Sequence, residues 1–162
     1  MKNIGIVGCD GRENAIGKSL LKTSEKINVF YIGNHPNIGL DNLGAIYENG
    51  DILNGGVILD WAKKNELEFI IIGPEKPLEI GIVDILEENE IECFGPRKIL
   101  ALLETSKLFC RNFLSMLEKK YNLQLNPEYF EFTSKNEINV FINKYPKSFV
   151  IKQDELAGGK GV

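Results

Sequence analysis

The sequence lacks any long apolar run and any surplus of positive charge. No hydrophobic stretch approaches the roughly 20 residues that a membrane helix requires, so a transmembrane protein is not expected. Lys and Arg number 19 against 23 Asp and Glu, a net charge of −4. That balance gives no general attraction to nucleic acid or to an anionic membrane, so neither is expected as a partner. The chain runs from Met1 straight into a strand-like segment, and no secretory signal is expected.

Cysteine and histidine are also scarce. Cys9, Cys93, Cys110 and the single histidine, His35, show no C-x-x-C pair and no spacing typical of a zinc site. We interpret the cysteines as reduced, mainly packing residues of a cytoplasmic protein. Cys9 is set apart because it lies in a candidate substrate loop. His35 is interpreted as a loop residue, and no metal site is predicted in this chain.

The composition that remains is that of an ordinary globular protein, with 43% hydrophobic and 26% charged residues among 162. Short apolar runs alternate with helical patterns over the first 96 residues. The predicted elements are strands at 4–7, 29–32, 45–47, 69–73 and 92–96, helices at 12–22, 56–66 and 78–86, and a turn at 74–77. This alternation predicts βαβ units and hence a doubly wound, Rossmann-like parallel sheet of the α/β class.

A different pattern follows the predicted sheet. The elements predicted there are helices at 97–103 and 106–119, a helix opened by the capping box of Ser134 and Glu137, and a strand at 148–152. We therefore predict a first α/β domain over residues 1–104. Residues 105–162 are predicted to begin an α+β domain that the chain leaves incomplete.

The first candidate site is the loop at residues 8–14, at the carboxyl end of a predicted strand, where open parallel sheets bind ligands. It runs into a helix N-terminus that suits a phosphate, and Arg12 can hold one bidentately. Gly8 and Gly11 have G-x-x-G spacing, not the G-x-G-x-x-G of a nicotinamide dinucleotide fold, and no acidic residue closes the second strand. A purely structural turn remains an open alternative.

Two further stretches offer groups for a ligand. Glu75 follows the central strand, where its carboxylate can accept hydrogen bonds from sugar hydroxyls or an amine, or can be the solvated residue of a rigid proline turn. Near the end of the sequence, Lys152 precedes a glycine-rich segment at 158–161. Glycines let backbone N–H groups approach phosphate oxygens, and lysines supply charge to them. This segment is interpreted as a phosphate loop.

Taken in order, these stretches resemble the phosphoribosylamine–glycine ligase (glycinamide ribonucleotide synthetase) family of the ATP-grasp superfamily. The matching stretches are residues 11–15 with G-R-E-H-A, 73–84 with G-P-E-x-P-L-x-x-G-I-V-D, 94–96 with F-G-P, 103–107 with L-E-G-S-K and 152–162 with K-A-D-G-L-A-A-G-K-G-V. The resemblance implies the N-terminal portion of such a ligase. Its fold would be a pre-ATP-grasp domain followed by the start of an ATP-grasp domain.

The resemblance also implies a reaction. Family members join glycine to 5-phosphoribosylamine with ATP and Mg²⁺, through a glycyl phosphate, in purine biosynthesis. The implied substrate-binding residues are Gly8, Gly11, Arg12, Glu13, Asn14, Glu75 and Pro77. The implied ATP-binding residues are Lys107, Lys152, Gly158, Gly159, Lys160 and Gly161. No catalytic residue is assigned, and the Mg²⁺ ligands are expected beyond the C-terminal end of this chain.

Departures from the family pattern suggest a divergent member. Asn14 stands where the family has histidine, and Thr105 and Glu155 each stand where it has glycine. The loop at 34–39 only loosely follows P-G-N-A-G. Since the remainder of the ligase is missing, this chain alone is expected to be inactive. The alternatives are a stand-alone module that binds a phosphoribosyl ligand and another ATP-grasp carboxylate–amine ligase.

Overall fold

The computed structural model describes residues 1–156, which divide into two compact units, Met1–Ala101 and a second that begins at Leu102. The first unit contains a five-stranded parallel sheet with the order β3-β2-β1-β4-β5. Its strands are β1 (Lys2–Val7), β2 (Ile27–Gly33), β3 (Ile46–Asn49), β4 (Phe69–Ile72) and β5 (Glu92–Phe94). Each unit is described separately below.

The helices that connect these strands and continue into the second unit account for most of the remaining regular structure. They are α1 (Gly11–Leu20), α2 (Ile38–Asp41), α3 (Gly55–Lys64), α4 (Glu75–Ile80), α5 (Ile82–Glu88), α6 (Lys98–Thr105), α7 (Lys107–Tyr121) and α8 (Lys135–Ile142). The division between the two units falls within α6. The domain boundary at 104 stays a prediction. No helix among residues 1–156 is long and apolar enough to cross a membrane.

The sheet is buried on both faces, as a doubly wound fold requires. On β1, Val7 packs into one core with Ile70 and Trp61, whereas its neighbour Ile6 packs into the other with Tyr31. Successive side chains of a strand point to opposite faces, so a strand in the middle of two cores must be apolar at every position. This explains the uninterrupted apolar runs and confirms the predicted α/β class.

Two predictions near the central strand were wrong. Residues 74–77 were predicted as a turn, but Glu75 opens α4 and Pro77 is its third residue. The helix predicted at 78–86 is two helices, because Gly81 between them has a φ of 90°. Glycine adopts this left-handed conformation without the steric cost that a Cβ brings.

The short helix α2 was not predicted. Asn37 is its N-cap residue, and its side chain accepts hydrogen bonds from Gly39 N and Leu40 N.

The second unit contains no strand among residues 102–156, so the predicted strand at 148–152 was also wrong. Phe149, Val150 and Ile151 are 42%, 65% and 52% exposed. An isolated strand leaves its backbone N–H and C=O groups unpaired, and sequence preference alone does not hold it. The capping box predicted at Ser134 and Glu137 is confirmed at the start of α8.

Helices α7 and α8 are amphipathic, and their apolar faces are only partly covered. Neither helix has a fully buried residue. Phe141 of α8 contacts the rings of Phe130, Phe132 and Tyr145, with centroids 4.6–4.9 Å apart. This aromatic cluster packs α8 against the segments on either side of it.

Candidate functional site

The candidate site lies where the order of the strands reverses. The chain passes from β1 to β2 and β3 on one side of the sheet, and β4 and β5 extend the other side. The loops that leave β1 and β4 therefore diverge from adjacent strands, which leaves a crevice at the carboxyl edge of the sheet. These loops, residues 8–10 and 73–74, are called the switch-point loops below.

Two glycines bring the switch-point loops close to a buried carboxylate. Glu13 of α1 is 2% exposed, and its Oε2 accepts a 2.7 Å hydrogen bond from Asp10 N. A Cβ on Gly73 would lie 2.0 Å from Glu13 Oε1, and a Cβ on Gly8, where φ is 115°, would lie 2.8 Å from Glu13 Cδ. Glu13 was predicted to bind substrate; its side chain is almost fully buried beside both loops, and the predicted role stays a prediction.

Arg12, in the first turn of α1 just after the first switch-point loop, contacts the second loop and α4. Its Nη1 donates a 2.7 Å hydrogen bond to Gly73 O, and its Nη2 lies 2.8 Å from Glu75 Oε1. The Arg12 side chain is 58% exposed, so the guanidinium still faces solvent at the mouth of the crevice. Arginine carries five donors in a fixed planar arrangement and can contact an anion while it keeps these bonds.

The pKa of the Glu75 carboxyl group reports on its ion pair with Arg12. The hydrogen bond from Arg12 holds the pKa of Glu75 below its ordinary value of 4.5. A carboxyl with a depressed folded-state pKa stabilises the fold above its unfolded-state pKa, and this stabilisation is lost as the pH falls through the folded-state value. We expect a carboxyl NMR titration of Glu75 to show a midpoint below 4.5.

Arg12→Ala should raise that midpoint toward the ordinary value. Arg97→Ala is the matched control, because Arg97 pairs with Glu87 and not with Glu75. The stability effect should be modest, since the Glu75 side chain is 36% exposed and solvent screens the pair. A Glu75 midpoint that is the same in the wild type and in Arg12→Ala would contradict this role for Arg12.

Gly11 and Pro77, also predicted to bind substrate, have different surroundings. Gly11 is the exposed first residue of α1, and a Cβ there would meet nothing within 4 Å. Pro77 is fully buried within the first turn of α4. It can shape the position of Glu75 but offers little surface to a ligand.

Asn14 faces the loop after β2. Its Nδ2 donates a 2.9 Å hydrogen bond to Asn37 Oδ1, and Asn37 Nδ2 donates to Cys9 O at 2.9 Å and Asp10 O at 3.0 Å. Asn37 N donates at 2.9 Å to Tyr31 Oη. Burial and a hydrogen bond to Asp41 raise the pKa of Tyr31 to about 12. Asn37, which was not among the predicted site residues, ties the loops after β1 and β2 together.

A second group of side chains meets beside these loops. Cys9 Sγ lies 3.5 Å from His35 Nε2, which in turn lies 3.5 Å from Asp10 Oδ1. Cys9 is buried, whereas Asp10 and His35 are exposed. The 26-residue separation of Cys9 from His35 matches no metal-binding motif, so no metal site was predicted from the sequence. The structure nevertheless brings three groups able to hold a metal within 4.8 Å of one another.

Residues 2–104, which include both switch-point loops, match the family described as phosphoribosylglycinamide synthetase, N domain. The chain belongs to this family. The phosphoribosylamine–glycine ligases of Listeria monocytogenes serotype 4b and Pyrococcus horikoshii are each 38% identical to it, over 160 and 157 residues. These alignments cover 99% and 97% of the chain but 36% and 34% of the relatives. The chain thus spans about a third of the length of the curated relatives it matches.

Solved structures of synthetases share the fold. The crystal structure of phosphoribosylamine–glycine ligase from Thermotoga maritima has a TM-score of 0.67 and 28% identity, and covers 98% of this chain and 34% of its own. N5-carboxyaminoimidazole ribonucleotide synthetase from the same organism has a TM-score of 0.59 at 17% identity, over 90% of this chain and 37% of its own, and shows the fold alone. The predicted family and fold class are confirmed.

The remaining residues that were predicted to bind a ligand belong to the second unit or lie outside the described residues. Lys107 Nζ donates a 2.7 Å hydrogen bond to Glu155 O. Asp154 accepts from Ser106 Oγ at 3.0 Å and from Leu108 N at 3.1 Å, so a carboxylate sits at the N-terminus of α7. Lys152 is exposed. Gly158, Gly159, Lys160 and Gly161 lie outside the residues that the structure describes.

Proposed function

We propose that this chain is the N-terminal portion of a phosphoribosylamine–glycine ligase, and that its switch-point loops bind 5-phosphoribosylamine. The observation that carries the proposal is the bridge from Arg12, in the first turn of α1, to Gly73 O and Glu75. Backbone N–H groups and a helix dipole favour an anion there, and Arg12 adds a positive charge. Glu75 is ionised at neutral pH, since its pKa is lowered, and can accept hydrogen bonds from sugar hydroxyls or from an amine.

The whole ligase is proposed to phosphorylate the carboxylate of glycine with ATP. The ribosylamine nitrogen then attacks the glycyl phosphate, which forms glycinamide ribonucleotide and releases phosphate. Lys107, Lys152 and the segment Gly158–Gly161 are proposed to contact the ATP phosphates, with Lys160 supplying charge. In this reaction the chain's own residues position substrates and balance charge.

Mg²⁺ is proposed as the cofactor that neutralises the ATP phosphates when it is bound, but residues 1–156 do not suit it. The metal-capable group found there consists of Cys9, Asp10 and His35, whereas Mg²⁺ prefers oxygen ligands. We therefore assign no Mg²⁺ ligand to these residues. The chain spans about a third of its relatives, so we further propose that residues 1–162 bind the phosphoribosyl ligand without turnover. The three free cysteines support a cytoplasmic location.

Calorimetry with ribose 5-phosphate, a stable probe for the phosphoribosyl group, tests the proposal. Arg12→Ala is expected to weaken binding by about 10- to 100-fold, since a hydrogen bond to a charged group contributes about 1.5–3 kcal/mol. Arg97→Ala removes an equal charge whose partner is Glu87 and should leave the affinity unchanged. No binding by the wild type, or equal binding by Arg12→Ala, would contradict the assignment of the switch-point loops.

Binding and phosphate-release assays distinguish the two alternative functions from the proposed one. A stand-alone phosphoribosyl-binding module would bind ribose 5-phosphate with no further activity when the rest of a ligase is supplied. Another ATP-grasp carboxylate–amine ligase would release phosphate from ATP with a different acceptor. Phosphate release by residues 1–162 with ATP, glycine and phosphoribosylamine would overturn the proposed lack of turnover.

A further inference from the structure

The proposed phosphoribosyl binding uses Arg12 and Glu75 and leaves the side chains of Cys9, Asp10 and His35 without an assigned function. Cys9 and Asp10 follow β1 in the first switch-point loop, and His35 follows the adjacent strand β2. Their thiol, carboxylate and imidazole converge because the carboxyl ends of neighbouring parallel strands share one edge of the sheet. A thiolate and an imidazole are ligands that favour zinc-like metals over Mg²⁺ or Ca²⁺.

The histidine ring presents the correct nitrogen to the cluster. His35 Nδ1 lies 3.3 Å from Pro36 O, and a carbonyl oxygen can only accept a hydrogen bond. A metal bound at Nε2 requires the proton on Nδ1, and the Pro36 carbonyl oxygen can accept a hydrogen bond from it there. Metal-binding histidines in proteins are commonly oriented by such a bond from the second ring nitrogen to a carbonyl oxygen.

The separations also match those of a tetrahedral zinc site. Bonds of about 2.3 Å from zinc to sulfur and about 2.0–2.1 Å to nitrogen or oxygen, at tetrahedral angles, put sulfur and nitrogen about 3.6 Å apart and nitrogen and oxygen about 3.4 Å apart. The observed distances are 3.5 Å from Cys9 Sγ to His35 Nε2 and 3.5 Å from His35 Nε2 to Asp10 Oδ1. These two separations suit a zinc ion, and the third pair, Cys9 Sγ and an Asp10 carboxylate oxygen, lies within 4.8 Å. The Asp10 side chain is 83% exposed and can move toward the sulfur atom to complete the site.

The sulfur atom is held in place before any metal arrives. Cys9 is 6% exposed, and a Cβ on Gly33 would lie 2.5 Å from its Sγ, so the glycine makes room for the thiol. Asn37 fixes the backbone of Cys9 by its 2.9 Å hydrogen bond to Cys9 O. We propose that Cys9, Asp10 and His35 bind one Zn²⁺, with a fourth position open to solvent on the exposed side of the cluster.

Equilibrium dialysis of residues 1–162 against Zn²⁺, with a phosphine reductant that keeps the thiols reduced, tests this site. The wild type should bind one Zn²⁺ per chain, and a millimolar concentration of Mg²⁺ should not displace it. Cys9→Ser and His35→Ala should each weaken binding by at least about tenfold. Cys93→Ser is the matched control, since Cys93 is also a free cysteine but lies on β5, outside the cluster. It should bind like the wild type.

Substitution with Co²⁺ identifies the ligands directly. The wild type and Cys93→Ser should show a thiolate-to-cobalt charge-transfer band and tetrahedral d–d bands, and Cys9→Ser should lose the first. Zn²⁺ should also raise the thermal midpoint of the wild type but not that of Cys9→Ser, whose circular dichroism verifies folding.

Equal Zn²⁺ binding by the wild type and Cys9→Ser, or a cobalt spectrum without a thiolate band, would overturn the proposed zinc site. The three side chains would then form a hydrogen-bonded cluster that binds no metal. None of these measurements uses a phosphoribosyl ligand, so their outcome is separate from that of the proposed function.

Discussion

Gly73→Ala is expected to destabilise the first unit by roughly 2–4 kcal/mol, a large loss for a single added methyl group. The new Cβ would lie 2.0 Å from Oε1, 2.7 Å from Cδ and 2.8 Å from Cγ of Glu13. Gly73 is not among the glycines with positive φ, so alanine fits its backbone and the cost is steric. Glu13 is buried and bonded to Asp10 N, and moving it would break this bond.

A double-mutant cycle separates this clash from a general loss of stability. Glu13→Ala removes the side chain that the new methyl group meets, so Gly73→Ala should cost less than about 1 kcal/mol in that background. Urea unfolding followed by circular dichroism measures each of the four free energies. Gly11→Ala is the control, because nothing lies within 4 Å of its added Cβ. An equal cost of Gly73→Ala in both backgrounds would show that Glu13 is not the obstacle.

The contacts within the site join residues that are far apart in the sequence, and these contacts could not be predicted from local motifs. The motifs drew attention to Arg12 and Glu75 separately, but their ion pair depends on the adjacency of β1 and β4, whose paired residues Val7 and Ile72 are 65 residues apart along the chain. The same holds for Cys9 and His35, which are brought together by the pairing of β1 with β2. Local sequence patterns do not indicate which strands become neighbours in the sheet.

The elements that were predicted well are those with strong local signals. The apolar run at 69–73 became β4, and the Ser134–Glu137 capping box began α8. The segment from Pro74 to Pro77 misled the prediction because proline is typical of turns. Pro77 is tolerated in α4 because the first N–H groups of a helix have no acceptor within the helix, so a missing N–H costs little there.

The strand predicted at 148–152 failed for a different reason. Its β-branched and aromatic residues favour a half-buried extended chain, but a strand also needs a partner with which to pair. Residues 102–156 provide none, and these side chains stay exposed. The curated relatives are about three times as long as this chain. We infer that residues with a high strand propensity do not form a strand where no partner strand is available for pairing.

Trp61→Ala is expected to cost about 3–5 kcal/mol, the largest loss we predict for a core truncation in this chain. Trp61 of α3 is 2% exposed and packs against the sheet with Ile70. A Cβ on Gly5 would lie 2.8 Å from Trp61 Cη2, so the indole lies against the backbone of β1. Because that backbone is fixed by pairing with β2 and β4, the cavity cannot collapse, and its full cost should appear.

Trp61→Phe should cost much less, roughly 1–2 kcal/mol. The indole Nε1 is buried without a hydrogen-bond partner among residues 1–156, so phenylalanine removes an unsatisfied polar group and offsets part of the smaller cavity. Urea unfolding must be followed by circular dichroism, since Trp61 is the only tryptophan and its fluorescence is lost in both variants. If Trp61→Phe lowers the free energy of unfolding as much as Trp61→Ala does, the indole N–H group stabilises the fold. The conclusion that this donor is buried without a partner would then be wrong.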